Sequence, residues 1–315
     1  MKVTLIHNPS AGDATQPTAG QLRALIEEAG HKVRLQSAKE DGWSGVLKKD
    51  ADIIAVAGGD GTVGRVARRL IGRNVPIAVL PMGTANNISR TLRIAGATVT
   101  QLIPTWETAR RVKFDAGCAI GPWGARYFIE GTGIGLFPRA LPAIKKSKTM
   151  ENLIDADVKV SYALQILREQ LDKCPPMKLN ARLDGKDISG KYVLLEAMNT
   201  RYIGPNLFLS PHLSHNNGLV DVVFVEEKHR RRLARYLTTW QDGKLWPLGL
   251  GVGTGKRLQI EWTGFAVHID DKFWHEKTQK KSQPSEIEIT IERSAVAFLV
   301  PRKPLPGLAT KGHRQ

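Results

Sequence analysis

The apolar run Asp52-Ile53-Ile54-Ala55-Val56-Ala57 delivers the chain directly into Gly58-Gly59-Asp60-Gly61-Thr62. A continuous apolar run of this length suits a parallel strand buried on both faces. Glycines placed after it let the backbone approach an anion closely, and the free N–H groups at the start of a following helix point towards that anion. Thr62 can cap that helix or give its hydroxyl to a phosphate. Asp60 is the odd member, because a carboxylate among phosphate-binding amides is costly unless it holds a metal ion or takes a proton. Taken alone, the five residues also fit an ordinary strand-to-helix turn in which Asp60 only caps the helix.

Two further segments repeat the arrangement. Asn8-Pro9-Ser10-Ala11-Gly12 follows the apolar run Lys2–His7, and Pro81-Met82-Gly83-Thr84-Ala85-Asn86-Asn87 follows Val75–Leu80. In an open parallel sheet, loops at the carboxyl ends of neighbouring strands share one crevice. Three such loops point to a phosphate site rather than to three unrelated turns. The first loop offers Asn8, Pro9, Ser10 and Gly12. The second offers Gly58, Gly59, Gly61 and Thr62, with Arg65 one turn on, and the third offers Gly83, Thr84 and Asn86.

The elements that must hold these loops alternate along the first third of the chain. Thr18–Ala29 carries Leu22, Leu25 and Ile26 at helical spacing and ends at Gly30. Lys32–Leu35 reads as a second strand, Val63–Ile71 as a helix and Asn86–Leu92 as another. Strand, loop and helix in succession predict a parallel sheet with crossover helices, a Rossmann-like three-layer α/β domain over residues 1–110. Beyond Arg110 the texture changes to short β-type runs: Arg111–Cys118, Arg126–Glu130, Lys178–Leu183, Lys191–Met198, Leu219–Val225, Arg257–Trp262, Phe265–Ile269 and Glu286–Ile291. Turn signals such as Asp184-Gly185 and Asn217-Gly218 lie between them. One helix, Val158–Leu171, interrupts them before Cys174-Pro175-Pro176 stops it, and Arg230–Trp240 reads as another. Residues 111–294 are therefore expected to form a mostly antiparallel β domain. The basic tail, 304–315, is expected to be disordered.

With 315 residues, 42% of them apolar and 24% charged, the chain can build two ordinary cores, and disorder is not its default state. Cys118 and Cys174 are its two cysteines, without metal-type spacing, which speaks against a disulfide framework or a cysteine zinc site and fits a reducing cytosol. No stretch approaches the ~18 apolar residues of a spanning helix, and Lys2–His7 is too short for a signal-peptide core. The expectation is a cytoplasmic protein that at most lies on a membrane surface. Lys and Arg number 46 against 30 Asp and Glu, a net charge of +16 that favours anionic partners. Basic clusters occur at Lys145, Lys146 and Lys148, at Lys228, His229, Arg230, Arg231, Arg232 and Arg235, and at Lys277, Lys280 and Lys281. Trp106, Trp123, Trp240, Trp246 and Trp274 fall in the same regions. Basic side chains beside tryptophan suit an anionic bilayer, at ~1 kcal/mol per basic residue near the surface. Each one alone also fits ordinary solvated surface. No nucleic-acid recognition module is visible, so nucleic acid is not an expected partner. No His-x-x-x-His pair and no Gly-x-Ser-x-Gly elbow occurs, so neither a histidine metal site nor a hydrolase triad is supported.

Asn8–Gly12, Gly58–Thr62 and Pro81–Asn86 resemble the nucleotide motifs of the diacylglycerol kinase catalytic family, which includes bacterial diacylglycerol kinases, YegS-like lipid kinases, sphingosine kinases and ceramide kinases. The resemblance continues through Phe128–Leu136, through Asn199, Pro211 and Asn217-Gly218-Leu219-Val220-Asp221, and into Ala295–Pro301, so it covers nearly the whole chain. It implies a nucleotide domain related to phosphofructokinase and NAD kinase, followed by an antiparallel β-sandwich, with a last strand near 295–303 returning to the first domain. It implies an acceptor lipid in the cleft between the domains, and ATP whose phosphates are bridged by Mg²⁺. It further implies transfer to a hydroxyl of a neutral lipid, with diacylglycerol the first expectation and a sphingoid base or ceramide also open. By the same resemblance, Asp60 and Asp270 are candidate catalytic residues, and Asn217 and Leu219 occupy the place of a structural magnesium loop.

Four positions depart from that pattern. Val63-Gly64-Arg65 stands where x-Asn-Glu is usual, and Asn87 takes the last place of the family's Gly-Thr-x-Asn-Asp, where Asn is often seen. Asp270-Asp271-Lys272 replaces an Asp-Gly-Glu whose Glu is taken as the proton acceptor, and Asn217 replaces an Asp. Each change removes negative charge, and two add positive charge. Lys272 is a poor proton acceptor in that Glu's place, which leaves Asp60, Asp270 or Asp271 to take the hydroxyl proton. The alternative is a fold that binds nucleotide or anionic lipid as a regulatory protein, its kinase activity weakened with the lost carboxylates.

Overall fold

Residues 1–12, 15–239, 250–274 and 285–306 are described by the computed structural model. Trp240, Trp246, Lys277, Lys280, Lys281 and most of the basic tail lie outside them. The chain divides into a unit formed by Met1–Phe114 and the segment from Ser294 onward, and a second unit, Asp115–Arg293.

In the first unit the elements are β1 (Lys2–His7), α1 (Ala19–Glu28), β2 (Lys32–Ser37), β3 (Ile53–Gly58), α2 (Asp60–Arg69), β4 (Ile77–Pro81), α3 (Asn87–Thr91) and α4 (Val99–Leu102). The strands pair in parallel in the order β2-β1-β3-β4, with Leu5 opposite Ala55 and Gly58 opposite Pro81. Every residue of β3 is buried, which is why its sequence is apolar without alternation. α1 starts on a capping box, Thr18 with Gln21, and buries Leu22 and Ile26. The order reverses beside β1, with β2 on one side and β3 on the other. That reversal is the switch point at which open parallel sheets bind ligands outside the carboxyl ends of their strands. The last strand, Ser285–Val300, lies parallel to β4 through Phe298 opposite Ile77, and Gly72 N–H donates to Ala295 O at 3.0 Å.

α2 begins three residues before the expected Val63. Gly59 is its N-cap, and Gly59 O accepts the N–H groups of Thr62 at 2.9 Å and Val63 at 3.0 Å. Glycine is tolerated at an N-cap and an acid is favoured in the first turn, so the interruption seen in the sequence shrinks to Gly59.

The second unit takes up β5 (Arg110–Gly121), which starts in the first, and continues with β6 (Gly124–Phe128), β7 (Gly131–Gly135), α5 (Leu136–Lys145), α6 (Lys148–Asn152), α7 (Ala156–Asp172), β8 (Met177–Leu179), β9 (Ala181–Leu183), β10 (Lys186–Asp187), β11 (Gly190–Met198), β12 (Tyr202–Ile203), β13 (Leu207–Phe208), β14 (Val220–Glu226), α8 (Arg230–Thr239), β15 (Gly251–Gly255), β16 (Arg257–Trp262), β17 (Val267–Ile269), β18 (Lys272–Trp274) and β19 (Ser285–Val300). One sheet runs β15-β14-β11-β7-β17-β18, its pairs antiparallel, and a second runs β10-β9-β16-β19. Leu195, Ala197, Val222 and Val267 of the first sheet pack on Leu258, Ile260, Ile287 and Ile289 of the second. The other face of the first sheet, with Val193, Met198, Val223 and Val225, is covered by Leu136, Phe137 and Ala140 of α5, Leu164, Leu167 and Leu171 of α7, and Leu233 and Leu237 of α8. Each leucine buried this way contributes about 2 kcal/mol. The unit is thus a β-sandwich with a helical layer on one side.

Three features differ from the sequence expectations. α5 and α6 were not anticipated, and α5 carries Pro138 and Pro142. The apolar face of α5 buries enough surface to outweigh an internal proline, which costs about 3 kcal/mol. The single strand expected over Lys178–Leu183 breaks at Asn180 into β8, which pairs with β11, and β9, which pairs with β16, so one run serves both sheets. Glu286–Ile291 and Ala295–Pro301 are one strand, with a positive φ of 55° at Ser294, where it leaves the second unit for the first.

Candidate functional site

The three glycine-bearing turns of the first unit touch one another. Asn8 N–H donates to Ala57 O at 2.9 Å, and Asn8 Nδ2 donates to Thr62 Oγ1 at 3.0 Å, which ties the turn after β1 to the start of α2. Gly59 and Gly83 meet backbone to backbone: a Cβ on Gly83 would lie 2.3 Å from the Cα of Gly59. Gly12, at φ +79°, lies where a Cβ would come within 3.0 Å of Met82 O. Only glycine allows approaches this close. Pro9, Ser10, Gly12 and Thr84 are exposed, whereas Thr62 is buried. Ser10 N–H donates to Asn8 Oδ1 at 3.1 Å. Asn86 spends its side chain on its own turn: Oδ1 accepts Gly83 N–H at 3.0 Å and Nδ2 donates to Gly83 O at 2.7 Å. Arg65 lies against the Trp43 ring at 5.6 Å, with Arg69 at 4.9 Å from the same ring.

Asp60 joins the second turn to the third. Its Oδ2 accepts Asn87 N–H and its Oδ1 accepts Ile88 N–H, both at 2.9 Å, so the carboxylate closes the start of α3. Burial pushes its carboxyl above the ordinary value, against the pull of the Ile88 and Asn87 hydrogen bonds and of the Arg90 charge. A carboxylate with raised basicity, held at the N-termini of α2 and α3 and beside glycine amides, can accept a proton where an anion is bound. The contribution of Asn87 was not read from the sequence. It is a main-chain contact, and side-chain types do not announce it.

In the second unit, Asp270 forms the turn between β17 and β18 at φ +48°. Its carboxylate accepts the N–H groups of Ile129 at 3.1 Å and Glu130 at 2.9 Å. Lys272 is exposed, and the Asp271 carbonyl accepts from Lys145 Nζ. Two residues next to this turn escaped the sequence reading. Glu196 and His268, both buried, meet at 2.7 Å between Oε2 and Nε2, and His268 Nδ1 lies 3.1 Å from the Asp270 carbonyl. Burial pushes Glu196 up. Burial lowers His268, but the charge and hydrogen bond of Glu196 outweigh it and leave its value raised. The available signal was a lone acid inside the apolar run Lys191–Met198.

Asn217 Oδ1 accepts Leu219 N–H at 3.0 Å, and the neighbouring Gly218 N–H donates to Asp115 Oδ2 at 2.8 Å. Asp221 accepts from Ser210 Oγ at 2.5 Å and Thr254 Oγ1 at 2.9 Å, and Asn199 Nδ2 donates to the carbonyls of Asp115 and Ile129. Among the described residues no group of three or more His, Cys, Asp or Glu side chains could hold a metal ion. Hard divalent cations need six or more oxygens with carboxylates among them. Asn217 Oδ1, an oxygen such a magnesium loop would use, is engaged by the N–H of Leu219 in its own turn.

The surface clusters also resolve. Arg230 is held by Glu227 and by the Leu171 and Cys174 carbonyls, while Arg231, Arg232 and Arg235 are exposed. Trp106 is buried and stacks on His31, and Trp123 is buried against Trp262 and Trp274, so neither can serve a bilayer interface. Tryptophan is large and apolar enough that core packing won at both positions. No helix among the described residues is long and apolar enough to cross a membrane.

Comparison with known proteins defines the class. Residues 2–119 match the diacylglycerol kinase catalytic domain, and residues 145–270 match the YegS C-terminal NAD kinase beta sandwich-like domain. Both units thus carry a domain of one family, and the chain belongs to the diacylglycerol kinase catalytic domain family of lipid kinases. It is similar to a diacylglycerol kinase of Mycobacterium tuberculosis, 24% identical over 314 residues that cover 96% of each chain. It is also similar to a diacylglycerol kinase of Bacillus subtilis, 26% identical over 75% of this chain and 78% of that one. A crystal structure of a diacylglycerol kinase from Bacillus anthracis has the same fold, with a TM-score of 0.68 at 20% identity over 95% of this chain and 96% of that one.

Proposed function

We propose that the protein is an ATP-dependent lipid kinase that phosphorylates a hydroxyl of a neutral lipid, diacylglycerol first among the candidates. The observation that carries this reading is the mutual contact of three glycine-bearing turns at a sheet switch point, with the Asp60 carboxylate spanning two of them. In this reading the phosphates of ATP lie on the amides of Asn8–Gly12, on those of Gly58–Thr62 and beside Thr84. The acceptor hydroxyl oxygen attacks the γ-phosphorus, the bond to the β–γ bridging oxygen breaks, and ADP leaves with that electron pair. The hydroxyl proton passes to Asp60, whose burial makes it a better acceptor than an ordinary carboxylate. In this reading Arg65, whose guanidinium lies against Trp43, offsets charge on the phosphates. Asp270 takes part from the second unit, and Arg231, Arg232 and Arg235 supply charge for an anionic membrane surface.

Two features support the reading: loss of the family Glu at Lys272 leaves Asp60 in place, and phosphoryl transfer depends mainly on positioning and charge stabilisation. The test is transfer of label from radiolabelled ATP to a panel of diacylglycerol, ceramide and sphingoid bases. Labelled phosphatidic acid is the expected product. Nucleotide binding without transfer to any lipid would favour the regulatory alternative, which the charge-removing departures at Arg65, Asn87, Asn217 and Lys272 motivate.

A further inference from the structure

The face of the β7–β11–β17 sheet that meets the helical layer is apolar except for one row. Glu196 on β11 and His268 on β17 both lie opposite Gly133 of β7, which separates them without a side chain. A Cβ at Gly133 would fall 2.2 Å from the Glu196 carboxyl carbon, so the glycine is what lets the two side chains meet. Glu196 is 0% exposed and His268 2%, with Phe137 of α5 packed 5.7 Å from the imidazole. Glu196 Oε1 has no hydrogen-bond partner among the described residues.

Such a pair is a poor way to hold a core together. Apolar residues of similar volume are usually as stabilising as a buried ion pair, or more so. The hydrogen-bond pattern shows what the pair does instead. The Asp270 carbonyl can only accept, so His268 Nδ1 must carry a hydrogen. The remaining proton then lies in the 2.7 Å contact between His268 Nε2 and Glu196 Oε2. Placed on Glu196 or on the imidazole, it leaves the tautomer at Nδ1 unchanged. The turn that receives this donor is the one whose carboxylate is gripped by Ile129 and Glu130 N–H.

We propose that Glu196 and His268 are positioning residues. By sharing one proton they lock His268 Nδ1–H onto the Asp270 carbonyl, and so hold the left-handed Asp270 turn and the aim of its carboxylate. The consequence for catalysis rests on the kinase reading above; the consequence for the turn does not.

The test compares two variants of the full chain. Glu196→Leu/His268→Phe replaces the buried pair with apolar groups and takes from the Asp270 carbonyl only its His268 donor, so it should fold and melt close to the wild type. Its turnover should fall about 10²-fold, as expected when a reacting group is misplaced by an ångström, while the KM for ATP stays unchanged. Amide hydrogen exchange at Ile129 and Glu130 should quicken. Glu196→Gln, whose side-chain N–H can donate to His268 Nε2, should restore most of the turnover and the exchange protection. Imidazole nitrogen shifts of the wild type should show His268 protonated at Nδ1. A double variant with wild-type turnover and wild-type exchange at both amides would overturn the proposal, and so would a His268 unprotonated at Nδ1, whether or not the variants fold. If the wild type transfers phosphate to no lipid, the kinase reading fails, and exchange at Ile129 and Glu130 still decides the positioning role.

Discussion

Replacing Asp60 separates its two roles. In the structure its oxygens close two N–H groups of α3, at 2.9 Å each, and Asn87 and Ile88 are 2% and 0% exposed, so water cannot take over. Asp60→Ala leaves both donors unmet. Loss of a cap costs about 0.5–2 kcal/mol and each unmet buried donor about 1–3 kcal/mol, offset by no longer burying a carboxylate; a net loss of about 2 kcal/mol follows. In a unit of this size that lowers the melting temperature by about 4–8 °C. Asp60→Asn keeps an acceptor oxygen for one of the two N–H groups and turns its NH2 towards the other, so it should cost about 1–3 kcal/mol, less than the two unmet donors of Asp60→Ala before the carboxylate offset. Both variants lose the proton acceptor, so phosphate transfer from labelled ATP should fall by about 10²-fold or more in each. The sign of the pH dependence also follows. The folded value of Asp60 lies above its unfolded one, so its favourable contribution is complete below the ordinary carboxylate range and disappears as pH rises through the raised folded value. Wild-type stability should therefore fall relative to Asp60→Asn over that rise. Calorimetry paired with the transfer assay reads all of this. Wild-type turnover in Asp60→Asn would refute the proton-acceptor role, and an unchanged melting temperature in Asp60→Ala would refute the bridging role.

Gly83→Ala forces a Cβ to within 2.3 Å of Gly59 Cα and must part the two turns. ATP affinity should drop more than about tenfold, with about 1–3 kcal/mol of stability lost. Gly20→Ala, in α1 with nothing within 4 Å of its new carbon, is the control and should stabilise by about 0.5–1 kcal/mol. Lys272→Glu returns an acid to an exposed position beside Asp270, and turnover with the best lipid should rise several-fold; no rise would show that position 272 is not in line with the acceptor. Arg231→Gln/Arg232→Gln/Arg235→Gln should weaken sedimentation with phosphatidylglycerol vesicles by about 10²-fold at low salt, from about 1 kcal/mol per charge, with the difference vanishing near about 0.5 M salt. Equal binding at low salt would remove the membrane reading for α8.

The parallel half of the protein was legible because its signals are local. β3 is buried on both faces and its sequence is apolar throughout, and the glycines after it mark a close approach that the structure places against Gly83. The start of α2 was misjudged for an equally local reason. Gly59 and Gly61 look like loop, but a helix N-terminus tolerates them, and the acid between them belongs to its first turn. The second unit was legible in class and not in detail, because its organisation depends on register. Nothing near Asn180 says that β8 and β9 part to different sheets. Nothing near Glu196 says that Gly133 and then His268 lie across from it. An acid within a buried strand does say that it has a partner, since a lone buried charge is too costly to persist.

The four charge-removing departures look different once contacts replace letters. Asn87 takes the last place of a motif written with Asp and often seen with Asn, yet what it gives Asp60 is a main-chain N–H, which any residue but proline would supply. Arg65 replaces an acid, and its guanidinium is packed on Trp43, at the second turn of the helix whose first turn holds Asp60. Asn217 has lost the charge of an acid but still closes its turn on Leu219, anchored through Gly218 to Asp115. In each case the observed contact does not depend on the missing negative charge. A polyanionic substrate is bound more readily by such a site, and the two candidate acids, Asp60 in the first unit and Asp270 in the second, each have a carboxylate gripped by main-chain amides. Lys272 is the exception, an exposed side chain on a short strand, and for that reason the Lys272→Glu variant is the one change expected to alter chemistry without altering the fold.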